Sequence, residues 1–238
     1  MNRKVFFLPF IALAFIVSSC FNEEDPGPLQ SQEKDYSVLD FDRLEIGDAL
    51  HVTVEQATLF GVNIRGDRRN IDDLEVRRVG NTLKINFREA KRPDYRQYST
   101  YVTISMPVIH GATFSGAVAS KISGFNGDED IDLLLSGASK CQADVEAAQL
   151  KVGLSGASEL NISGTASRLD AVVSGASEFR GFDLEVAHAM VDASGASKIS
   201  VMATEQLKAS ASGASDIRYR GTPVVNVSSS GASSITQD

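Results

Sequence analysis

The chain has no tryptophan, two cysteines and three histidines in 238 residues, and aromatics make up only 7%. Each shortage closes off a class of answer. With so few rings a large aromatic pocket is not expected, and the 19 glycines point instead to tight, repeated turns. Cys20 belongs to a leader segment, so Cys141 stands alone and no internal disulfide can staple the fold. His51, His110 and His188 lie far apart and without HExxH spacing, so no zinc site is expected from them. No serine stands in a Gly-x-Ser-x-Gly elbow, and no phosphate-cradling glycine loop follows a strand and opens a helix. Positive charge is also short. Lys and Arg number 23 against 31 Asp and Glu, and a net charge of −8 argues against binding nucleic acid or anionic lipid through bulk charge. No catalytic residue, metal ligand or cofactor is therefore expected. What remains is ordinary globular usage, 42% hydrophobic and 23% charged, in a chain long enough for one large all-β domain or two small ones.

The first 19 residues read as a targeting segment. Arg3 and Lys4 precede an apolar stretch, Val5 to Val17, that is short for a membrane span. It ends in Val17-Ser18-Ser19-Cys20, which resembles the lipobox of bacterial lipoproteins and makes Cys20 the expected lipidation site. Loss of Arg3 and Lys4 with the leader takes the net charge from −8 to −10, so membrane attachment would come from acyl chains. Residues 20–35 are acidic and contain proline, as a tether should. The acidic cluster after Cys20 resembles the surface-export signal of Bacteroidetes lipoproteins, which implies an outer-membrane protein exposed at the cell surface.

The dominant signal is a repeat. Ser-Gly-Ala recurs with its glycine at Gly116, Gly137, Gly156, Gly175, Gly195, Gly213 and Gly231, at spacings of 21, 19, 19, 20, 18 and 18 residues. Before each copy, apolar residues alternate at period two, as in Ile131, Leu133, Leu135 or Leu150, Val152, Leu154. After each copy a second apolar column appears: Ile122, Cys141, Leu160, Phe179, Ile199, Ile217 and Ile235. A period near 19 residues holds two or three short strands and their turns but no helical repeat. The fold expected is all-β, a parallel β-helix of about seven coils over residues 115–238, preceded by a smaller β-rich region over 36–114. A β-sandwich of short antiparallel strands is the competing arrangement. In each corner, glycine supplies the bend, alanine is expected to fill the narrow interior, and the serines to bond nearby backbone or their equivalents in adjacent coils. Two inserted residues in Ser115-Gly116-Ala117-Val118-Ala119-Ser120 are taken to explain the longest gap. That alignment places Lys121, Lys140, Glu159, Glu178, Lys198 and Asp216 in one outward ladder, a solvated face that also offers a binding surface. Asp128-Glu129-Asp130 with Asp132 occurs once and lacks a calcium-repeat pattern, so it reads as a charged turn.

Strands are expected at Leu44–Ile46, Leu50–Glu55, Leu59–Arg65, Leu83–Phe87 and Tyr101–Met106, with a short helix near Asn70–Leu74 and a turn at Gly80-Asn81. Ten Arg and Lys residues from Arg65 to Arg96 gather here, offset by acidic neighbours. Phe41-Asp42-Arg43-Leu44-Glu45-Ile46, Gly47-Asp48-Ala49, His51-Val52-Thr53-Val54-Glu55-Gln56, Leu83-Lys84-Ile85, Val102 to Pro107 and the Ser-Gly-Ala-Ser coils together resemble the auto-transporter adhesins with a head GIN domain. The resemblance runs from Tyr36 to Asp238 and departs at the signature itself, where Asp48-Ala49 stands for the usual Ile-Asn. It implies a secreted or lipid-anchored β-rich protein and supplies neither a ligand nor a catalytic residue.

The function expected is that of a non-catalytic envelope lipoprotein, an adhesion module presenting β-helix faces to a glycan or to an envelope or extracellular protein. Two alternatives stand beside it. One is an enzyme acting on polysaccharide, by analogy with β-helical lyases and hydrolases; the other is a structural protein that self-associates through open solenoid ends as a homo-oligomer.

Overall fold

The computed structural model describes residues 27–88 and 98–238. Cys20 and the tether as far as residue 26 lie outside them. The chain runs through β1 (Ser31–Asp35), β2 (Arg43–Ile46), β3 (His51–Gln56), β4 (Gly61–Asp67), α1 (Arg68–Asp73), β5 (Leu74–Val79) and β6 (Thr82–Phe87). It continues through β7 (Tyr101–Met106), β8 (Gly111–Phe114), β9 (Ala119–Asn126) and β10 (Ile131–Leu135). Four long strands follow: β11 (Lys140–Leu154), β12 (Glu159–Val173), β13 (Glu178–Ala193) and β14 (Lys198–Ala211). The last are β15 (Asp216–Arg220), β16 (Val224–Ser229) and β17 (Ser234–Gln237).

From β8 onward every pairing is parallel, and about seven coils stack as a β-solenoid after an N-terminal β region. The long strands each turn a corner without a loop. In β11 the buried residues run Cys141, Ala143, Val145, Ala147 and then Leu150, Val152, Leu154, so Ala148 and Gln149 both face outward and the alternation changes phase there. Two consecutive outward residues rotate the strand onto the next face while its backbone pairing continues on either side. The inward columns expected before the corners from Gly137 to Gly213 are all buried.

The corner itself differs from expectation in which small residue points inward. Ala138, Ala157, Ala176, Ala196 and Ala214 are exposed, whereas Ser139, Ser158, Ser177, Ser197 and Ser215 are buried. A hydroxyl can sit inside because the corner supplies acceptors for it. Ser139 and Ser158 donate to the carbonyls of Ser136 and Ser155 at 2.9 and 2.8 Å, and the Ser177 hydroxyl accepts from the Ser158 amide at 3.2 Å. The alanine stays outside because its amide is committed to the stack: the N–H of Ala176 donates to the Gly156 carbonyl at 2.7 Å, and each neighbouring corner repeats the bond.

Coil order is not chain order at the N-terminal end. β2 pairs in parallel with both β6 and β8, and β3 with both β7 and β9. Residues 43–56 are therefore a coil sandwiched between β6 and β7 on one side and β8 and β9 on the other, and Gly47-Asp48-Ala49 is its corner, directly below Ser115-Gly116-Ala117. Asp48 and Ala49 hold positive φ of 66° and 58° without being glycine. Asp48 Oδ2 accepts the Phe87 amide at 2.8 Å, which ties this corner to the coil beneath. Beyond that coil the sheet becomes antiparallel: β4 pairs with β7, β1 with β4, and β5 with β6. The helix expected near Asn70–Leu74 is α1, and its Ile71 joins the buried core. Strand pairing thus runs without a break from the N-terminal region into the coils.

Candidate functional site

One face of the solenoid carries outward rows that only the tertiary register reveals. Reading across paired strands, the first row is Arg65, Tyr101, His51, Ala119, Lys140, Glu159, Glu178, Lys198, Asp216. The second, two residues further along each strand, includes Thr103, Thr53, Lys121, Gln142, Asn161 and Arg180. Lys121 therefore does not belong to the ladder of Lys140 and Glu159. Ala119 holds that place and Lys121 stands one row over, next to Gln142.

The reason lies in the corner. Val118, which is 1% exposed, occupies the interior place that serine takes in later copies, so no residues are inserted there. Ser120 faces inward in the Cys141 column, and Ile122 pairs with Ala143 instead of Cys141. The surplus residues of this coil lie later, at a bulge across Ser123-Gly124, where Gly124 has φ 86°, and in the following turn.

A shallow groove of about 670 Å³ crosses the face at this point. At one end Arg65 lies over the Tyr101 ring at 5.3 Å, and Tyr101 stacks with His51 at 5.0 Å between ring centroids and 24° between planes. Ala119 then breaks the row with a single methyl group, and Lys140 follows. Beyond it Arg180 bonds both Glu159 and Glu178, the latter at 2.8 Å, while Lys140 lies 3.4 Å from Glu159. The ladder pairs expected between coils are thus replaced in part by an Arg180 clamp, which sequence reading missed because Arg180 is in the second row. Glu178 has no ion pair with Lys198. Among the described residues Arg65 and Lys121 have no carboxylate partner. The groove therefore combines a ring stack, two free cations and the amides of Gln142 and Asn161.

The remaining candidates resolve into structural roles. Cys141 is buried, and burial pushes its thiol up to about 11, so it is a poor nucleophile and metal ligand. Asp132 pairs with Arg43 at 2.9 Å, which accounts for one member of the acidic turn. Among the described residues no three His, Cys, Asp or Glu side chains gather as a metal site. The basic residues of the N-terminal region are largely engaged locally: Arg69 by Asp67, Arg77 by Glu75 and Lys84 by Glu45. Lys91, Arg92 and Arg96 lie outside the described residues. No helix among the described residues is long and apolar enough to cross a membrane.

Known proteins share this arrangement. The chain is similar to a "putative adhesin" from Bacteroides fragilis, with 21% identity, a TM-score of 0.78, and 87% of this chain and 97% of that one covered. It is similar to a "putative lipid binding protein" from Parabacteroides distasonis at 20% identity and a TM-score of 0.68, covering 88% and 97%. A "putative adhesin" from Parabacteroides merdae gives 18% identity, a TM-score of 0.69, and 88% and 96% coverage. At these identities the likeness concerns the fold. No curated protein matches the chain. Residues 40–223 match the family described as "Putative auto-transporter adhesin, head GIN domain", and since that match spans both the Gly47 corner and nearly all the coils, the chain belongs to this family.

Proposed function

We propose that the protein is a lipid-anchored, non-catalytic adhesion module of the outer membrane that binds a glycan or surface protein across the groove-bearing face. The observation that carries this reading is the groove at Ala119, where stacked rings, amides and unpaired cations meet on an unusually regular sheet. Rigid β-sheet scaffolds hold such groups without the ordering cost of loops. A hydrolytic alternative would call for two available carboxylates across a cleft. Glu159 and Glu178 stand on adjacent strands, but Arg180 engages both. The family supports adhesion as the direction, and the lipobox-like Val17-Ser18-Ser19-Cys20 supports the anchor.

Binding of the full chain to a panel of immobilised glycans and matrix proteins, with products assayed for new reducing ends, tests the reading. Retention by at least one surface without turnover, reduced at least tenfold by Ala119→Phe, is expected. Turnover abolished by Glu159→Gln or Glu178→Gln would replace adhesion with catalysis. Membrane fractionation of a Cys20→Ala variant tests the anchor: release into the soluble fraction is expected, and unchanged membrane association would refute lipidation at that residue.

A second reading, self-association, is favoured by the last coil. Residues 221–237 contain no charged side chain. The outer edges of β16 and β17 pair with no strand among the described residues, and the inward Val225 and Val227 remain 38% and 49% exposed. Edge strands usually carry charges that deter pairing.

A further inference from the structure

The groove's composition selects a class of ligand. We propose that it is a subsite for an acidic sugar, a ring bearing a carboxylate or sulfate, held between His51 and Lys140 above Ala119. This rests on the adhesion reading and narrows it.

The argument is a stack with one member missing. Arg65, Tyr101 and His51 follow one another in adjacent strands, with the guanidinium over Tyr101 and the two rings stacked. The next strand contributes only the Ala119 methyl, and the one after it Lys140. Two strand spacings separate His51 from Lys140, roughly 10 Å of backbone, which is room for one pyranose ring. The apolar face of a sugar stacks on an aromatic face, here the side of His51 turned away from Tyr101. Beside the gap, Lys121 projects from the same strand as Ala119 without an ion pair, and Lys140 is 71% exposed while touching a single carboxylate. Lys121, two residues along the same strand, and Lys140, on the next strand, flank the one place where the row holds only a methyl group. In a chain of net charge −8, the groove gathers Arg65, Lys121, Lys140 and Arg180; Glu159 and Glu178 engage Arg180 and Glu159 also meets Lys140, which leaves Arg65 and Lys121 as its cations without an ion pair among the described residues. Such an island selects a negative ligand out of an otherwise repelling surface.

The full chain is titrated with two pairs of polymers, dextran sulfate against plain dextran and polygalacturonate against its methyl ester. Each pair shares one backbone and differs in whether the acidic group is present and charged. At least tenfold tighter binding of one or both anionic members is expected, weakening as salt rises; which one binds identifies the acid. A Lys121→Ala/Lys140→Ala variant should lose at least tenfold of that binding, whereas Lys151→Ala/Lys208→Ala, removing the same charge from a different outward row of the solenoid, should keep it. Circular dichroism and melting confirm that both variants fold. Equal loss in both double variants would overturn the subsite in favour of bulk charge. Neutral members binding as tightly, with Ala119→Phe abolishing both, would overturn the acidic ligand while leaving the adhesion groove intact. Failure of all four polymers to bind would overturn the proposal, and the matrix-protein panel would then decide the adhesion reading separately.

Discussion

From Gly137 to Gly231 the corner glycines repeat because a Cβ at any of the six would lie 2.4 to 2.8 Å from the preceding corner glycine's carbonyl oxygen. Gly175 has φ 76°, and a Cβ there would lie 2.5 Å from the Gly156 carbonyl oxygen, the very acceptor used by Ala176. Gly175→Ala should therefore cost at least about 2 kcal/mol, combining left-handed strain with overpacking, and appear as a clear drop in melting temperature. An unchanged melt would mean that the corner relaxes more easily than its bonding suggests. In the Gly47 corner Asp48 and Ala49 take positive φ without being glycine, and the Asp48 carboxylate there accepts the Phe87 amide. Cys141 makes the opposite case, a reactive residue type made inert by place. With its thiol raised to about 11, alkylation at pH 8 should be slow in the folded chain and fast only in denaturant. The sign of its pH effect follows: between the ordinary thiol value near 9 and about 11, the unfolded chain releases a proton that the folded chain retains, so stability falls as pH rises through that window.

Elements are held to one another by polar closures as well as by the core. Asp67 ends β4, caps α1 and is wholly buried. Its carboxylate accepts from Arg69 through side chain and amide, at 2.8 to 2.9 Å, and from the Gln30 amide at 2.9 Å just before β1. The Arg69 bonds, with the two amides, hold its pKa far below the usual 3.8. A depressed carboxyl stabilises the fold above the unfolded value and loses that contribution as pH falls below it, so the N-terminal cap should loosen as pH drops below about 4. Hydrogen exchange should show α1 and β1 opening there before the coils do, and Asp67→Ala should reproduce this at neutral pH at a cost of about 2 kcal/mol. Uniform opening of cap and coils would contradict it. At this scale the sequence was readable wherever period two and the motif agreed. The inward columns from Ile131 to Ala211 follow from alternation alone. The orientation of alanine and serine in the corner did not, since both are small and only the hydrogen-bond geometry separates them. The first copy was misread because Val118 in a serine position looked like an insertion, which moved Lys121 by a row.

For the whole molecule, the part that could not be read is the order of the first coils. β6 and β7 slot beneath β2 and β3, so Tyr101 and His51 become neighbours although 50 positions apart in the chain, and no local pattern announces that crossing. The repeat and the all-β class were legible, whereas the groove, built from β3, β7, β9 and β11, was not. The other end of the stack gives a separate expectation. If the neutral edge of β16 pairs with a second copy, light scattering should show a dimer whose mass falls to the monomer in Val227→Lys, an inward charge on an edge strand. A strict monomer at millimolar concentration would remove that reading. The most direct measurement on the binding face is lysine acetylation footprinting with and without saturating dextran sulfate or polygalacturonate, whichever binds. Lys121 and Lys140 should be shielded together while Lys151 and Lys208 react as before; equal labelling at Lys121 and Lys140 in both states, or protection confined to Lys151 and Lys208, would contradict the groove as the site of recognition.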